Sequence, residues 1–357
     1  MMFSGLVSAT TVPAIIKFGL KKKLVDFPNE RKKHNKPIVR IGGLAIGLSL
    51  LLSIILALAL NWIDPISWHL IKVCLTGSIF LLILGLVDDI FTVSPIFRLT
   101  FQIIFSILIW QLGIKFTIID FTWISDNFYF IIPNILSLIL TTIWICGIIN
   151  AFNWLDGLDG LAAGTCVVAS FGFTSIILAS NNDPVTFLMA GLIGSCMGFL
   201  LYNFYSAKIY MGDCGSYFIG FLISVFSIYM SYSQTSSFKE LGSSNFTLPI
   251  FILLLPIADM LYVIIKRIRS KRSPFIADRS HFHHRLLRAG FNHKDSVLFG
   301  YIVNQYFVAI ALMIYFDQLR IPIFIISNLL FLTFVYKKCS IKISNSSKIY
   351  FAAKYKN

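Results

Sequence analysis

Apolar residues run along this chain in long blocks, separated by short stretches where Lys, Arg, Asp, Asn and Gly collect. Eleven blocks stand out: 5–20, 41–62, 70–87, 98–114, 131–149, 160–179, 185–203, 215–233, 246–265, 296–316 and 320–336. Most approach the ~20 residues a helix needs to cross a bilayer core, and none shows the strict alternation of a half-buried strand. The pattern predicts an all-α polytopic integral membrane protein with about eleven transmembrane helices. Blocks 98–114 and 320–336 each hold only 16 uncharged residues and predict tilted or partly interfacial spans. Between the fourth and fifth blocks, Phe116, Ile118, Phe121 and Trp123 predict a small surface β-hairpin.

Composition excludes a water-soluble globule. Of 357 residues, 57% are hydrophobic and 13% charged, against roughly 25% charged in soluble domains. Six cysteines lack C-x-x-C or paired spacing and read as small buried hydrophobes. No cation precedes the first apolar block, whereas Lys21, Lys22 and Lys23 follow it. That is the reverse of a secretory signal, so the block is expected to stay as an anchor.

The net charge of +14 is unevenly spread. Alternate connections 21–40, 88–98, 150–159, 204–214 and 266–295, with the tail 337–357, carry 25 of the 30 Lys and Arg residues. Cation-rich loops stay inside, which predicts an external N-terminus and a cytoplasmic C-terminus. With no internal repeat, residues 1–336 read as one membrane domain and 337–357 as a basic tail. Zinc-finger spacing and aromatic-basic signatures are absent, so anionic lipid or a phosphorylated substrate is expected, and nucleic acid is not.

The carboxylates carry the chemistry. Of 16 acidic residues, Asp88, Asp89, Asp156, Asp159 and Asp213 fall at helix ends on the predicted cytoplasmic face, in otherwise apolar loops. A charge at mid-bilayer costs ~2.5–3.5 kcal/mol on the insertion scale, and less at the interface, so the five need partners. Mg²⁺ fits, since it takes one or two carboxylates and completes its shell with water and phosphate, and Mn²⁺ is an admissible substitute. Asn150, Asn153, Asp156 and Asp159 recur every three residues, so a helix would present them on one face. Asp159 alone could cap the next helix, and Asn203 could lend an amide. In 266–295, His281, His284, Arg285 and Arg288 share a face of a predicted interfacial helix, with Phe282 and Leu286 turned to the membrane. The basic surroundings and lack of Cys favour pyrophosphate over zinc. The first loop is basic beyond what orientation requires, and no Walker loop or G-x-G-x-x-G is present.

In combination these blocks resemble one family: PNERKKHNKPIVRIGG (28–43), the Asp88-Asp89 pair, NAFNWLDGLDGLAAG (150–164), MGDCGS (211–216) and SPFIADRSHFHHRLLRAGF (273–291). The chain from Asp26 to Leu287 resembles the polyprenyl-phosphate N-acetylhexosamine-1-phosphate transferases, multi-pass enzymes of the bacterial inner membrane. The resemblance implies that a polyprenyl phosphate, undecaprenyl phosphate, attacks the β-phosphorus of a UDP-sugar, giving a lipid-linked sugar and UMP with Mg²⁺. It implies Asp156 and Asp213 as metal ligands, Asp88 or Asp89 at the incoming lipid phosphate, and Asp159 shaping the nucleotide pocket. Lys33, His34, Arg40, Arg279, His281, His283 and His284 would hold the pyrophosphate. Asn150, Asn153 and Asn203 would line the substrate site, Asn203 near the uridine. The His-x-His-His-Arg-Leu-Leu form is similar to the WecA/TagO-like branch, which takes UDP-N-acetylglucosamine. The related MraY branch takes UDP-N-acetylmuramoyl-pentapeptide and has an uninterrupted His triplet. Partners beyond the two substrates are membrane lipid and, compatibly, a second copy. From another class, an ion-coupled transporter would place its charges near mid-bilayer rather than at one face.

Overall fold

The computed structural model describes residues 1–27, 37–62, 68–120, 129–180, 185–233, 247–273 and 280–316. Helix α1 (Met2–Lys21) leads into strand β1 (Val25–Asp26), which pairs antiparallel with β2 (Ile38–Val39). Then come α2 (Gly43–Ala59), α3 (Trp68–Phe91) and α4 (Pro95–Gln111). The hairpin expected between the fourth and fifth blocks follows: β3 (Ile118–Asp120) pairs with β4 (Tyr129–Ile131), setting Ile118 opposite Ile131. Its Phe121 and Trp123 lie outside the described residues. The chain continues through α5 (Asn134–Leu155), α6 (Leu161–Ser180), α7 (Val185–Asn203), α8 (Gly212–Ser233), α9 (Thr247–Ile252), α10 (Leu254–Arg269), α11 (Phe282–Arg288) and α12 (His293–Tyr315).

This is an all-α membrane protein. Seven described helices are long and apolar enough to cross a bilayer: α1, α3, α5, α6, α7, α8 and α12. Helices α2 and α4 are apolar but shorter, at 17 residues each. The expected block 320–336 and the tail 337–357 lie outside the described residues. Helix α8 is the axis of the bundle, with 94% of its apolar window buried inside the protein against 22% for α1. Helices α2, α3, α5 and α6 pack around it. Five cysteines, including Cys214, are buried and unbridged, as small hydrophobes would be.

The structure moves several expected boundaries, each for a local reason. Helix α4 starts at Pro95 because Ser94 accepts the Phe97 N–H and proline suits the first helical turn, where its missing N–H costs nothing. Helix α3 runs on to Phe91, so Asp88 and Asp89 sit in its last turn rather than in a loop. Asp88 itself closes that end by accepting the Val93 N–H at 2.8 Å. The block 246–265 is two helices broken at Leu253, since Pro256 has no N–H to give the Ile252 carbonyl. The first connection is not merely a basic loop: Val39 bridges to Ile209, and Gly42 and Gly43 donate to the carbonyls of Tyr210 and Met211. Leu286 and Phe282 turn inward rather than to the membrane, because α12 offers Phe299 as an apolar partner beside Phe291.

Candidate functional site

The site is built at the end of the bundle where α3, α5 and α7 finish and α8 begins. Gly212 holds φ +73°, a conformation that costs glycine little, and a Cβ there would collide with the Arg40 carbonyl. This turn aims the first backbone N–H groups of α8 at Asp89. One Asp89 oxygen accepts from the Asp213 N–H at 3.1 Å and the other from the Cys214 N–H at 3.0 Å. Arg40 adds Nε and Nη2 at 3.2 and 3.1 Å. Asp89 is therefore a remote cap on α8, a carboxylate at the positive end of a helix dipole. It ties the first connection, α3 and α8 together.

Its neighbour Asp88 points elsewhere, as adjacent helical residues must. Asp88 Oδ2 accepts from Arg98 Nη1 at 2.6 Å and from the Tyr217 hydroxyl at 3.1 Å. Arg98 also bonds that hydroxyl and lies 3.9 Å from Asp213 Oδ2. The other Asp213 oxygen accepts from Asn153 Nδ2, whose second bond goes to Ser216 Oγ at 3.0 Å. The structure thus brings Asp88, Asp89, Asn153 and Asp213 into one hydrogen-bonded group. Asn150, one turn back, is drawn away from it by Gln102 Oε1 at 2.6 Å on α4.

Helix α5 ends at Leu155, so Asp156 and Asp159 leave the common face that the three-residue spacing suggests and lie in the turn joining α5 to α6. Asp159 does not cap α6: its carboxylate accepts the Ala207 N–H at 3.0 Å, and its own N–H donates to His293 Nε2 at 3.1 Å. Buried Asn203 is a strut whose Oδ1 accepts the Gly160 N–H and whose Nδ2 donates to the Ile209 carbonyl. Asp156 stands apart. Among the described residues its carboxylate accepts no hydrogen bond. Burial, and then the negative charges of Asp213, Asp89 and Asp159, push its pKa well above the usual carboxylate range.

Those facts test the cation. Among the described residues no three His, Cys, Asp or Glu side chains gather to hold a metal by themselves. Magnesium does not require three, and Asp156, with no donor among the described residues, and Asp213, whose Oδ2 has only a 3.9 Å ion pair with Arg98, are of the right kind. A bound cation would relieve the repulsion among these aspartates, so the residues fit the group.

Above this lies the histidine cluster. His281, at the start of α11, bonds through Nδ1 to Asp259 Oδ2 at 3.0 Å, and the second Asp259 oxygen accepts the Phe282 N–H at 2.5 Å. His283 stacks on His281 with centroids 5.6 Å apart and 8° between planes, and His284 follows at 4.3 Å. His283 is buried, with Nδ1 unpartnered among the described residues, and desolvation followed by its histidine neighbours lowers its pKa to about 3. It is a neutral ring at any physiological pH. His283 also lies against Gly157, where a Cβ would come within 2.5 Å of its Nε2. The cluster is thereby seated on the residue after Asp156. Trp154 joins it, edge-on to His281 at 5.6 Å and beneath Arg267 at 4.9 Å.

Lys33, His34 and Arg279 lie outside the described residues. Sequence reasoning missed Arg98, Tyr217 and Asp259. A lone cation and a lone carboxylate inside otherwise apolar blocks were the available signals for Arg98 and Asp259. Tyr217, one of many aromatics, gave none.

Residues 71–231 match the family model described as glycosyl transferase family 4. The chain is 34% identical over 325 residues to a probable undecaprenyl-phosphate N-acetylglucosaminyl 1-phosphate transferase of Bacillus subtilis, covering 90% of this chain and 87% of that one. It is 32% identical to the decaprenyl-phosphate N-acetylglucosaminephosphotransferase of Mycolicibacterium smegmatis, covering 85% and 77%. With the undecaprenyl-phosphate alpha-N-acetylglucosaminyl 1-phosphate transferase of Escherichia coli the identity is 27%, covering 78% and 73%.

Proposed function

Because the chain belongs to glycosyl transferase family 4, we infer that it transfers N-acetylglucosamine 1-phosphate from a nucleotide donor to a polyprenyl phosphate. The finer reading is UDP-N-acetylglucosamine as donor, undecaprenyl phosphate as acceptor, UMP as leaving group and the cytoplasmic face of a bacterial inner membrane as location. Eleven spans, an external N-terminus and a cytoplasmic C-terminus belong to the same reading, resting on the bias of cations along the chain. UDP-N-acetylmuramoyl-pentapeptide transfer and ion-coupled transport are not favoured by the relatives' names.

A phosphate oxygen of the acceptor forms the new bond to the β-phosphorus, and the bond from that phosphorus to the oxygen of UMP breaks. Such a transfer asks for positioning and neutralisation of charge rather than for a protein nucleophile. Asp156 and Asp213 would hold Mg²⁺, which supplies charge neutralisation at the phosphates. Asn153 fixes Asp213 by its amide, and Asp89 fixes it by capping α8. Asp89 is saturated by four donors, so Asp88 is the better candidate beside the acceptor, with Arg98 holding its carboxylate in place. His281 is oriented by Asp259 and, with His283 and His284, would line the site of the pyrophosphate.

The observation that carries this reading is Asp156, held among three other carboxylates without a hydrogen-bond donor. Purified protein in detergent, given radiolabelled UDP-N-acetylglucosamine, undecaprenyl phosphate and Mg²⁺, should yield an organic-soluble labelled product and stoichiometric UMP. Asp156→Asn and Asp213→Asn should abolish both. Label transfer that persists in either variant, or product without UMP, refutes the assignment.

A further inference from the structure

The turn that carries Asp156 is bonded to the two helices it joins at its ends, where the Asp156 N–H donates to the Phe152 and Asn153 carbonyls and the Gly160 carbonyl accepts the Gly164 N–H. Its further partners come from elsewhere, and one element, α12, supplies them repeatedly. His293 opens α12, with Asn292 capping behind it by accepting the Asp295 N–H at 2.7 Å. His293 Nε2 lies 3.1 Å from the Asp159 N–H. A backbone N–H can only donate, so Nε2 is the acceptor and the ring's other nitrogen carries the proton. Tyr205 packs against that ring with centroids 5.1 Å apart. Four residues on, Val297 is wholly buried in a small apolar cluster with Leu155, Leu158 and Leu161, the residues flanking the turn and within it. After four more, the Tyr301 hydroxyl donates to the Gly160 carbonyl at 2.6 Å. Its ring occupies a notch made by the missing side chains of Gly160 and Gly164, since a Cβ at Gly164 would collide with it.

Residues 293, 297 and 301 are spaced i, i+4, i+8 and form one stripe of a helix. The stripe contributes an acceptor for the turn's N–H, an apolar seat for Leu158 and a donor for the turn's carbonyl. From the opposite side, Asn203 and the Ala207 N–H hold Gly160 and Asp159. The turn is tied to α5 and α6 at its two ends and clamped across its middle between the end of α7 and α12.

We propose that His293 and Tyr301 are positioning residues that hold the Asp156–Gly160 turn in its working shape. They reach the chemistry through the turn's backbone and not by touching substrate. The consequence for catalysis rests on the transferase reading above, whereas the consequence for the turn does not.

The test compares His293→Ala, His293→Gln and Tyr301→Phe with the full-length enzyme in the same detergent, by transferase kinetics and by amide hydrogen exchange over residues 156–161. Loss of one hydrogen bond to a constrained backbone group should lower kcat about tenfold in His293→Ala and Tyr301→Phe. His293→Gln places an amide oxygen near the lost Nε2 and should recover activity to within about threefold of wild type. Exchange across the turn should quicken in His293→Ala and Tyr301→Phe and return toward wild type in His293→Gln. Unchanged exchange in both His293→Ala and Tyr301→Phe overturns the proposal whatever the kinetics show, as does a His293→Gln enzyme as impaired as His293→Ala. Should His293→Ala fail to fold, Tyr301→Phe, which deletes one oxygen, carries the same two readouts. If the wild-type enzyme transfers no sugar phosphate, the transferase reading falls and exchange alone still decides this one.

Discussion

Replacing Asp89 with alanine removes one carboxylate from a node of three chain segments. The side chain is 1% exposed and accepts from two α8 backbone N–H groups at 3.1 and 3.0 Å, as well as from Arg40. Each stranded N–H costs ~1–3 kcal/mol if no water reaches it. Arg40 is 31% exposed and can turn to solvent, so its share is discounted to below ~1 kcal/mol. Together these give a loss of about 2–7 kcal/mol, a range that brackets the ~3–5 kcal/mol of removing one partner of a buried charged pair. Denaturant unfolding in a mild detergent would measure it, alone and in an Arg40→Met background. The loss should persist almost whole in that background, because α8 and not Arg40 is the main partner. Transfer activity should also fall at least tenfold, since Asp213 sits in the turn that Asp89 anchors. A loss below ~1 kcal/mol, or one that vanishes once Arg40 is gone, refutes the view of Asp89 as the cap of α8.

Other outcomes follow from the same geometry. Gly157→Ala should displace His283, lowering kcat/KM about tenfold while shifting stability by no more than ~1–3 kcal/mol, since Gly157 itself is exposed; unaltered donor binding by calorimetry would contradict it. Mg²⁺ at 100 times its Kd should stabilise the wild-type protein by about 2.7 kcal/mol relative to EDTA, and Asp156→Asn should lose most of that increment. An undiminished increment in Asp156→Asn counts against Asp156 as a ligand. His283 has its pKa lowered, so the unfolded chain binds a proton that the folded protein refuses. Its contribution to stability is therefore complete above the ordinary histidine pKa of ~6.5 and is lost as pH falls toward 3. The difference between wild type and His283→Gln in unfolding free energy should shrink over that window, and a flat difference would show His283 to be more exposed than it is here.

The apolar blocks made the helices legible because a bilayer imposes length and composition directly on sequence. The limits of that reading show at particular residues. Asp88 and Asp89 look like a loop pair, yet they complete a helix, because what ends α3 is a hydrogen bond to Val93 that composition does not encode. The break at Leu253 left a signal in Pro256, which a count of apolar residues ignores. The aspartates of the candidate site were legible as a set, since charges in apolar loops are costly. Their division of labour was not: Asp89 caps α8 and Asp159 holds Ala207, each through a partner more than forty positions away, while Asp156 is left open. Arg98 stands at the edge of an apolar block, where it reads only as the cation of the 88–98 connection, and Asp259 lies inside one, yet both prove to be the partners of residues singled out for chemistry.

The cap on α8 also bears on how the protein is made. Asp89 is synthesised 124 residues before the first N–H it will accept. At roughly 5–20 residues per second a nascent chain carries that carboxylate for about 6–25 s with its eventual acceptor role unfilled. Through that interval α3 carries two acidic residues at its end. Arg40, which precedes both in the chain, is already available to shield one of them. Assembly of the candidate site can finish only when α8 has emerged, so ribosome-bound chains released before that point should be preferred targets for membrane quality-control proteases.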